Sequence, residues 1–196
     1  MSDDVAIVGI GIHPFGRHEG VSGMEQGAIA IRKACEDAKI KWSDLQFAFG
    51  GSVAAGSPDH MVSQMGLTGL QFINVVNGCA TGGSALISTY NTIKSGAYDL
   101  GVAVGFDKHE RGAFRVQTGK QGERDWYGGS GMALTTQFFG MKINRYMFCS
   151  PGEGGVALVL ARADQAHKYT DKPIFLKSAV VKSRRYGSFE VLAPSL

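Results

Sequence analysis

Cys79 lies where an apolar run gives way to a glycine and then to a series of small residues. The segment reads Ile73-Asn74-Val75-Val76-Asn77-Gly78-Cys79-Ala80-Thr81-Gly82-Gly83. This order predicts a strand, a tight turn and then a helix from Thr81 to about Lys94, with the cysteine just before the helix. Unpaired N–H groups and the dipole of a helix N-terminus favour an anion. We therefore expect Cys79 to form a thiolate more easily than a free cysteine does.

The same helix start has backbone N–H groups that can stabilise an oxyanion on a thioester carbonyl. Gly78, Gly82 and Gly83 are predicted to leave room for a substrate to approach the thiol. A single cysteine beside a strand is more often a small buried hydrophobic residue. The strand, turn and helix around Cys79 nevertheless favour a reactive thiol.

Two other sequence patterns, a glycine-rich segment and five histidines, could indicate dinucleotide binding or metal binding, but their spacing supports neither. Gly9 and Gly11 with Gly16 follow a strand, but the spacing is not that of a dinucleotide fingerprint, and a His-Pro pair stands where the phosphate-binding helix should begin. We interpret the glycines as a loop leaving the first strand. The five histidines have no second ligand at metal spacing, and each is expected to be an exposed loop residue: His13, His18, His60, His109 and His167.

Composition narrows the class of protein. The 196 residues carry a net charge of +3 with both signs mixed along the chain, and the cationic cluster at 182–185 is too small for a nucleic-acid footprint. No apolar run reaches the ~20 residues that span a bilayer, and the acidic start Met1-Ser2-Asp3-Asp4 predicts no secretory signal. Three irregularly spaced cysteines argue for a reducing compartment, and we expect a cytoplasmic protein without metal.

Hydrophobic periodicity predicts an α/β fold in which strands and helices alternate. The strands are near-continuously apolar, which indicates a mostly parallel sheet covered on both faces. Predicted strands are 5–8, 47–49, 72–76, 100–106, 156–161 and 174–181; predicted helices are 22–38, 81–94 and 135–146. The last helix runs through Met147 into Phe148 with neither a glycine nor a polar stop. A helix that meets the following segment without such a stop is an anomaly at this junction.

At this point the sequence resembles the thiolase superfamily, most closely its branch of sterol-carrier-protein-x thiolases and bacterial lipid-transfer proteins, which are acetyl-CoA acetyltransferase-like. Asn77 to Gly82 is similar to that branch's N-x-C-A-T-G. Three further segments resemble family segments: Val8-Gly9-Ile10-Gly11 with Pro14-Phe15-Gly16, Ala103-Val104-Gly105-Phe106-Asp107-Lys108, and Ser150-Pro151-Gly152-Glu153-Gly154-Gly155-Val156-Ala157. The resemblance spans nearly the whole chain.

The resemblance implies a thiolase-like fold, a layered αβα arrangement around a mostly parallel, mixed five-stranded sheet. Residues 1–147 would form the first part of an N-terminal thiolase domain, and residues 148–196 its end. The family's loop region, on the order of a small domain, would be absent at the 147/148 junction. The C-terminal half, which carries the family's acid and base, would also be absent.

By the same resemblance, Cys79 is the nucleophile that accepts an acyl group as a thioester before its transfer to coenzyme A, which is a substrate and not a cofactor. Cys35 and Cys149 are expected to be structural. The substrate would be a lipid or sterol side-chain acyl-CoA, and the protein a homodimer. Two alternatives remain open. One is a retro-aldolase on a 3-hydroxyacyl-CoA in steroid side-chain degradation, working with a small OB-fold partner protein. The other is a non-catalytic thiolase-like subunit.

Overall fold

The structure is a computed structural model, and it describes residues 4–110 and 152–182. Its strands are β1 Val5–Gly16, β2 Phe47–Gly51, β3 Gln71–Asn74, β4 Leu100–Asp107, β5 Glu153–Arg162 and β6 Ile174–Leu176. They form one sheet in the order β3-β2-β4-β5-β1-β6. The chain divides into two units, residues 1–108 with 152–181 and residues 109–151 with 182–196, and all six strands lie in the first.

Three α-helices accompany the sheet in that unit. They are α1 Gly23–Asp37, α2 Val62–Met65 and α3 Thr81–Lys94. Short 3₁₀ turns lie at Trp42–Asp44, Pro58–Met61 and Ala163–Lys168. The side chain of Ser22 caps α1 by accepting a hydrogen bond of 3.1 Å from the backbone N–H of Glu25. This cap fixes the start of α1 where the sequence predicts it.

The two long helices cover opposite faces of the sheet. Along β5, Ala157 and Val159 are buried in the same cluster as Ile31 of α1. Leu160, which points to the other face, is buried in the cluster that contains Ile93 of α3. Because successive strand residues point to opposite faces, this alternation places one helix on each side of the sheet. The predicted αβα layering is confirmed in this unit.

The predicted strand count and strand directions need correction. The described sheet has six strands, as the hydrophobic pattern predicts, and not the five that the resemblance implies. β2 is parallel to β3 and to β4, but β5 runs antiparallel to both β4 and β1, and β1 runs antiparallel to β6. The sheet is therefore mixed, as predicted, but not mostly parallel. Continuous apolar runs report that a strand is buried on both faces, and they carry no information on its direction.

The first strand is longer than predicted because its glycines belong to it. β1 continues to Gly16, so Gly9 and Gly11 lie inside the strand and not in a loop leaving it. A Cβ atom at Gly9 would collide with the carbonyl oxygen of Ala34, and one at Gly11 with that of Ala30, both in α1. These glycines let the helix backbone approach the strand closely.

Other predicted bounds hold more closely. The helix predicted from Thr81 to about Lys94 is confirmed as α3. The last predicted strand is shorter, since β6 ends at Leu176. The predicted helix 135–146, Cys149 and the junction of Met147 with Phe148 lie outside the described residues. The division of the chain at 147/148 therefore stays a prediction. Within the described ranges, no helix is both long enough and apolar enough to cross a membrane.

Candidate functional site

The site lies at the edge of the sheet where three parallel strands end. Because β2 pairs in parallel with both β3 and β4, their carboxyl ends, at Gly51, Asn74 and Asp107, lie on the same side. Cys79 follows β3 and immediately precedes the N-cap residue of α3, Ala80. Ligands of open α/β sheets bind outside the carboxyl ends of the strands. The topology thus places Cys79 where such a fold binds its ligands.

A tight turn holds Cys79 in front of α3. Gly78 adopts a positive φ of 51°, which L side chains rarely adopt. The hydroxyl of Thr81 accepts a hydrogen bond of 2.8 Å from the N–H of Asn77 and donates one of 2.7 Å to the carbonyl of Gly78. The Asn77 side-chain amide donates to the hydroxyl of Ser84 at 2.8 Å. These hydrogen bonds join the two residues before Cys79 to the first turn of α3, which follows it.

The start of α3 rests directly on the sheet. The N–H of Val75 donates to the carbonyl of Gly50 at 2.8 Å. A Cβ atom at Gly51 would collide with the methyl group of Thr81, and one at Gly105 would lie 3.0 Å from the Cα of Gly82. Glycine at the ends of β2 and β4 therefore allows the turn to sit against the strands.

The three glycines predicted to admit a substrate do border open space. Gly78, Gly82 and Gly83 are all exposed. A Cβ atom at Gly78 or Gly83 would have no neighbour within 4 Å, and one at Gly82 would only reach the Cα of Gly105 at 3.8 Å. Gly82 and Gly83 also lie in the first turn of α3, where the helix offers no acceptor to their N–H groups. Their role in substrate approach stays a prediction.

The two described thiols differ in their surroundings. Cys79 is exposed, whereas Cys35 is buried in the core on the inner face of α1. Burial raises the pKa of the Cys35 thiol to about 11, with a smaller contribution from the negative charge of Asp44. A thiol of that pKa is almost entirely protonated near neutral pH and is a poor nucleophile. The structural role predicted for Cys35 agrees with this burial.

Limiting iodoacetamide is expected to label Cys79 at least about tenfold faster than Cys35 in the folded protein, because alkylation requires an accessible thiolate. Peptide mapping of the adducts measures the ratio. Adding denaturant is the control, since unfolding exposes Cys35 and should bring its rate close to that of Cys79. Preferential labelling of Cys35 or Cys149 in the folded chain would contradict the assignment of Cys79 as the reactive thiol.

A second polar cluster lies at the same sheet edge, around Glu153 at the start of β5. Its carboxylate accepts a hydrogen bond of 3.0 Å from the N–H of His18 and one of 3.4 Å from the side chain of Gln26. Lys108 lies 3.3 Å from the carboxylate and also donates to the carbonyl oxygens of His18 and Val21, each at 2.7 Å. The cluster thus connects the loop before α1 to the end of β4 and to the start of β5.

One histidine in this region corrects an expectation. His13 is buried within β1, and not an exposed loop residue. Its Nδ1 donates to the carbonyl of Pro14 at 3.0 Å, and Nε2 of His18 donates to the same oxygen at 2.9 Å. The two rings meet edge to face at 4.6 Å between centroids. The strand continues past Gly9 through His13 to Gly16, so the error follows from the predicted end of the strand.

Replacing Glu153 with glutamine is expected to destabilise the fold near neutral pH and to have less effect in acid. The N–H of His18, followed by the ammonium of Lys108, holds the pKa of the Glu153 carboxyl below its usual range. A lowered folded-state pKa gives stability that is complete above the unfolded pKa of about 4.3 and is lost as the pH falls through the folded-state pKa. Urea unfolding of both proteins between pH 7 and pH 3 measures this.

In that experiment the exposed Glu19 serves as the control, and Glu19→Gln is expected to leave the pH dependence unchanged. A Glu153→Gln difference that stays constant from pH 7 to pH 3 would show that the carboxylate charge does not stabilise the cluster.

Asp107, at the end of β4, organises the loop after β2. Its carboxylate accepts hydrogen bonds from the N–H groups of Val53 at 3.2 Å and Ala54 at 2.9 Å, and from the hydroxyl of Ser52 at 3.3 Å. Sequence reasoning singled out neither this loop nor the Glu153 cluster. Among the described residues, no group of three or more His, Cys, Asp or Glu side chains could hold a metal ion.

Three curated relatives share part of this chain. It is 29% identical to the non-specific lipid-transfer protein-like 2 of Caenorhabditis elegans over 73% of the chain and 39% of the relative. It is 34% identical to sterol carrier protein 2 of Bos taurus over 59% of the chain and 22% of the relative. An acetyl-CoA acetyltransferase of Methanothermobacter thermautotrophicus is 24% identical over 92% of the chain and 62% of its own length. No family model matches.

The chain thus spans less than two thirds of the length of each of these relatives. The alignment with the acetyltransferase runs over 239 positions, more than the 196 residues of the chain, so that relative has residues without a counterpart here.

Solved structures identify the fold. An aldolase described as Ltp2-ChsH2(DUF35) superposes with a TM-score of 0.67 at 18% identity, over 87% of this chain and 59% of that one. The 3-oxoacyl-[acyl-carrier-protein] synthase III of Aquifex aeolicus gives 0.58 at 14% identity, over 82% and 54%. A cysteine-to-serine variant of Xanthomonas campestris OleA with bound lauric acid and lauroyl-CoA gives 0.57 at 14% identity, over 85% and 58%.

The chain has a thiolase-like α/β fold. With the three curated relatives, this confirms the predicted resemblance to the thiolase superfamily in its lipid-transfer and sterol-carrier branch.

Proposed function

We propose that the protein is a thiolase-type acyl-CoA acyltransferase that makes or breaks a carbon–carbon bond through Cys79. The observation that carries the proposal is the exposed thiol in a closed turn, directly before α3, at the carboxyl ends of three parallel strands. A thiolate there lies beside helix N–H groups that have no acceptor within the helix. Such groups can stabilise negative charge on a reacting carbonyl.

In the cleavage direction, the thiolate of Cys79 attacks the 3-keto carbon of a 3-ketoacyl-CoA. The carbonyl electrons move to oxygen, and the N–H groups of Gly82 and Gly83 are available to this oxyanion. When the oxyanion collapses, the bond between the α-carbon and the β-carbon breaks. The electrons of that bond leave as the enolate of acetyl-CoA, which takes up a proton. The acyl group remains on Cys79 as a thioester and passes to coenzyme A.

The proposed substrate is the CoA thioester of a lipid or a sterol side chain, with coenzyme A as acyl acceptor and no resident cofactor. The proposal draws support from relatives named lipid-transfer protein and sterol carrier protein, and from a structural neighbour that holds lauroyl-CoA. A cytoplasmic location is part of the same proposal.

Mass spectrometry of acid-quenched protein tests the covalent step. After mixing with a 3-ketoacyl-CoA, the peptide that contains Cys79 is expected to gain the mass of the shortened acyl group. The peptide that contains Cys35 is the internal control and should remain unmodified. A 3-ketoacyl-CoA that is cleaved without any adduct on Cys79 would contradict the proposed nucleophile.

A retro-aldolase is the second candidate, because the aldolase described as Ltp2-ChsH2(DUF35) superposes with a TM-score of 0.67. A retro-aldol cleavage needs a base for the substrate hydroxyl and an acid for the enolate, but no nucleophile. In that case Cys79 would be a packing residue, and a small OB-fold protein would be the partner. Cleavage of a 3-hydroxyacyl-CoA without added coenzyme A would favour this candidate. A protein inert to both substrates would favour a non-catalytic subunit that binds acyl-CoA.

We further expect a homodimer that forms through β3, which ends the described sheet on one side. An edge strand presents unpaired backbone groups that a second copy can pair with, and the side chain of Ile73 is exposed on it.

Sedimentation should show a dimer at micromolar concentration. Ile73→Lys should weaken the dimer at least about tenfold, because a lysine on an edge strand opposes pairing. The exposed Leu67, outside the strand, provides the control Leu67→Lys; a stable wild-type monomer would contradict the expectation.

A further inference from the structure

We propose that Thr81 is a positioning residue that fixes the place of Cys79. Its hydroxyl forms hydrogen bonds within the turn, and its methyl group packs against the sheet. The inference rests on the proposed role of Cys79 as nucleophile. Thr81 is 4% exposed, although the turn residues before it and the two glycines after it are all exposed. A buried polar side chain within an exposed turn must have its hydrogen bonds satisfied there.

The hydroxyl of Thr81 joins the two residues that precede Cys79. It accepts from the N–H of Asn77 at 2.8 Å and donates to the carbonyl of Gly78 at 2.7 Å. These two hydrogen bonds hold Gly78 at its positive φ of 51°. The backbone angle at Gly78 in turn sets the direction in which the chain enters Cys79. Since Ala80 gives α3 no side-chain cap, the Thr81 hydroxyl orders the entry to the helix, together with the Asn77 amide that donates to Ser84.

The methyl group of Thr81 holds the hydroxyl in place. It packs over Gly51 at the end of β2, so closely that a Cβ atom at Gly51 would collide with it. A β-branched side chain is stiff about χ1, so seating the methyl group on the strand aims the hydroxyl back into the turn. Serine would keep the hydrogen bonds and lose this contact, whereas valine would keep the shape and lose the hydrogen bonds.

The test compares Thr81→Val with Thr81→Ser in the full-length protein. Thr81→Val is expected to slow the formation of the acyl-Cys79 adduct at saturating 3-ketoacyl-CoA by about tenfold to a hundredfold, because small misplacements of a reacting group cost rates of this order. The half-saturating concentration should stay the same. Thr81→Val should also lose hydrogen-exchange protection at the amide of Asn77. Thr81→Ser should keep both the acylation rate and the protection, while lowering the melting temperature.

Acylation of Thr81→Val at the wild-type rate would overturn the inference, as would a Thr81→Ser variant that is as slow as Thr81→Val. Failure of the proposed function looks different, because wild-type protein would then form no adduct on Cys79. In that event, hydrogen exchange at the Asn77 amide alone tests whether the Thr81 hydroxyl orders the turn. Unchanged protection in Thr81→Val would overturn the hydroxyl's role in the turn, and lost protection with retention in Thr81→Ser would support it.

Discussion

Replacing Cys79 with serine is expected to lower kcat/KM for 3-ketoacyl-CoA cleavage by at least about a thousandfold, or about 4 kcal/mol at 1.4 kcal/mol per decade. The variant changes one atom in an exposed turn, so the fold should keep its stability. The loss is chemical, because a hydroxyl is far less acidic than a thiol and gives almost no anion for the attack on the keto carbon. Steady-state kinetics with and without coenzyme A measure the effect.

The same substitution separates the two enzymatic candidates. A retro-aldolase uses no nucleophile, so Cys79→Ser should leave cleavage of a 3-hydroxyacyl-CoA almost unchanged. A melting temperature equal to that of the wild type is the control for folding. If Cys79→Ser cleaves 3-ketoacyl-CoA at the full wild-type rate, Cys79 is not the nucleophile. The proposed thiolase function of this chain would then be wrong.

The turn around Cys79 could be predicted from the sequence because its determinants are local. A strand, a glycine and a helix beginning at Thr81 follow one another within a short segment. The structure shows the predicted tight turn, in which Gly78 has a positive φ, and the predicted helix start. The same holds for α1, where Ser22 as cap and the periodic burial of Ile31 and Cys35 lie within one helix. Local signals of this kind do not depend on the rest of the fold.

The features that the sequence could not reveal join residues that are distant along the chain. Glu153 meets Lys108 and the loop before α1 only because β5 lies between β4 and β1 and antiparallel to both. The apolar pattern of β5 reports burial but no direction. Likewise, the burial of His13 depends on a strand that extends past Gly9 and Gly11 beneath α1. A glycine that admits a helix backbone and a glycine in a loop look alike in sequence.

Replacing Gly11 with alanine is expected to lower the free energy of unfolding by about 3 kcal/mol, the upper part of the range for overpacked cores. A Cβ atom at Gly11 would collide with the carbonyl oxygen of Ala30 and approach the backbone nitrogen of Ala34. Both atoms belong to the backbone of α1, so relief requires the whole helix to move away from β1. The gain from restricting the unfolded chain, about 0.4–1 kcal/mol, does not offset this.

Gly83 provides the matched control, because a Cβ atom there would have no neighbour within 4 Å and its φ is not positive. Gly83→Ala should leave stability unchanged or raise it by up to about 1 kcal/mol, since alanine suits a helix better than glycine. Thermal unfolding should then separate the two variants by about 10 °C in a chain of this size. A Gly11→Ala protein as stable as Gly83→Ala would mean that α1 can withdraw from β1 at little cost.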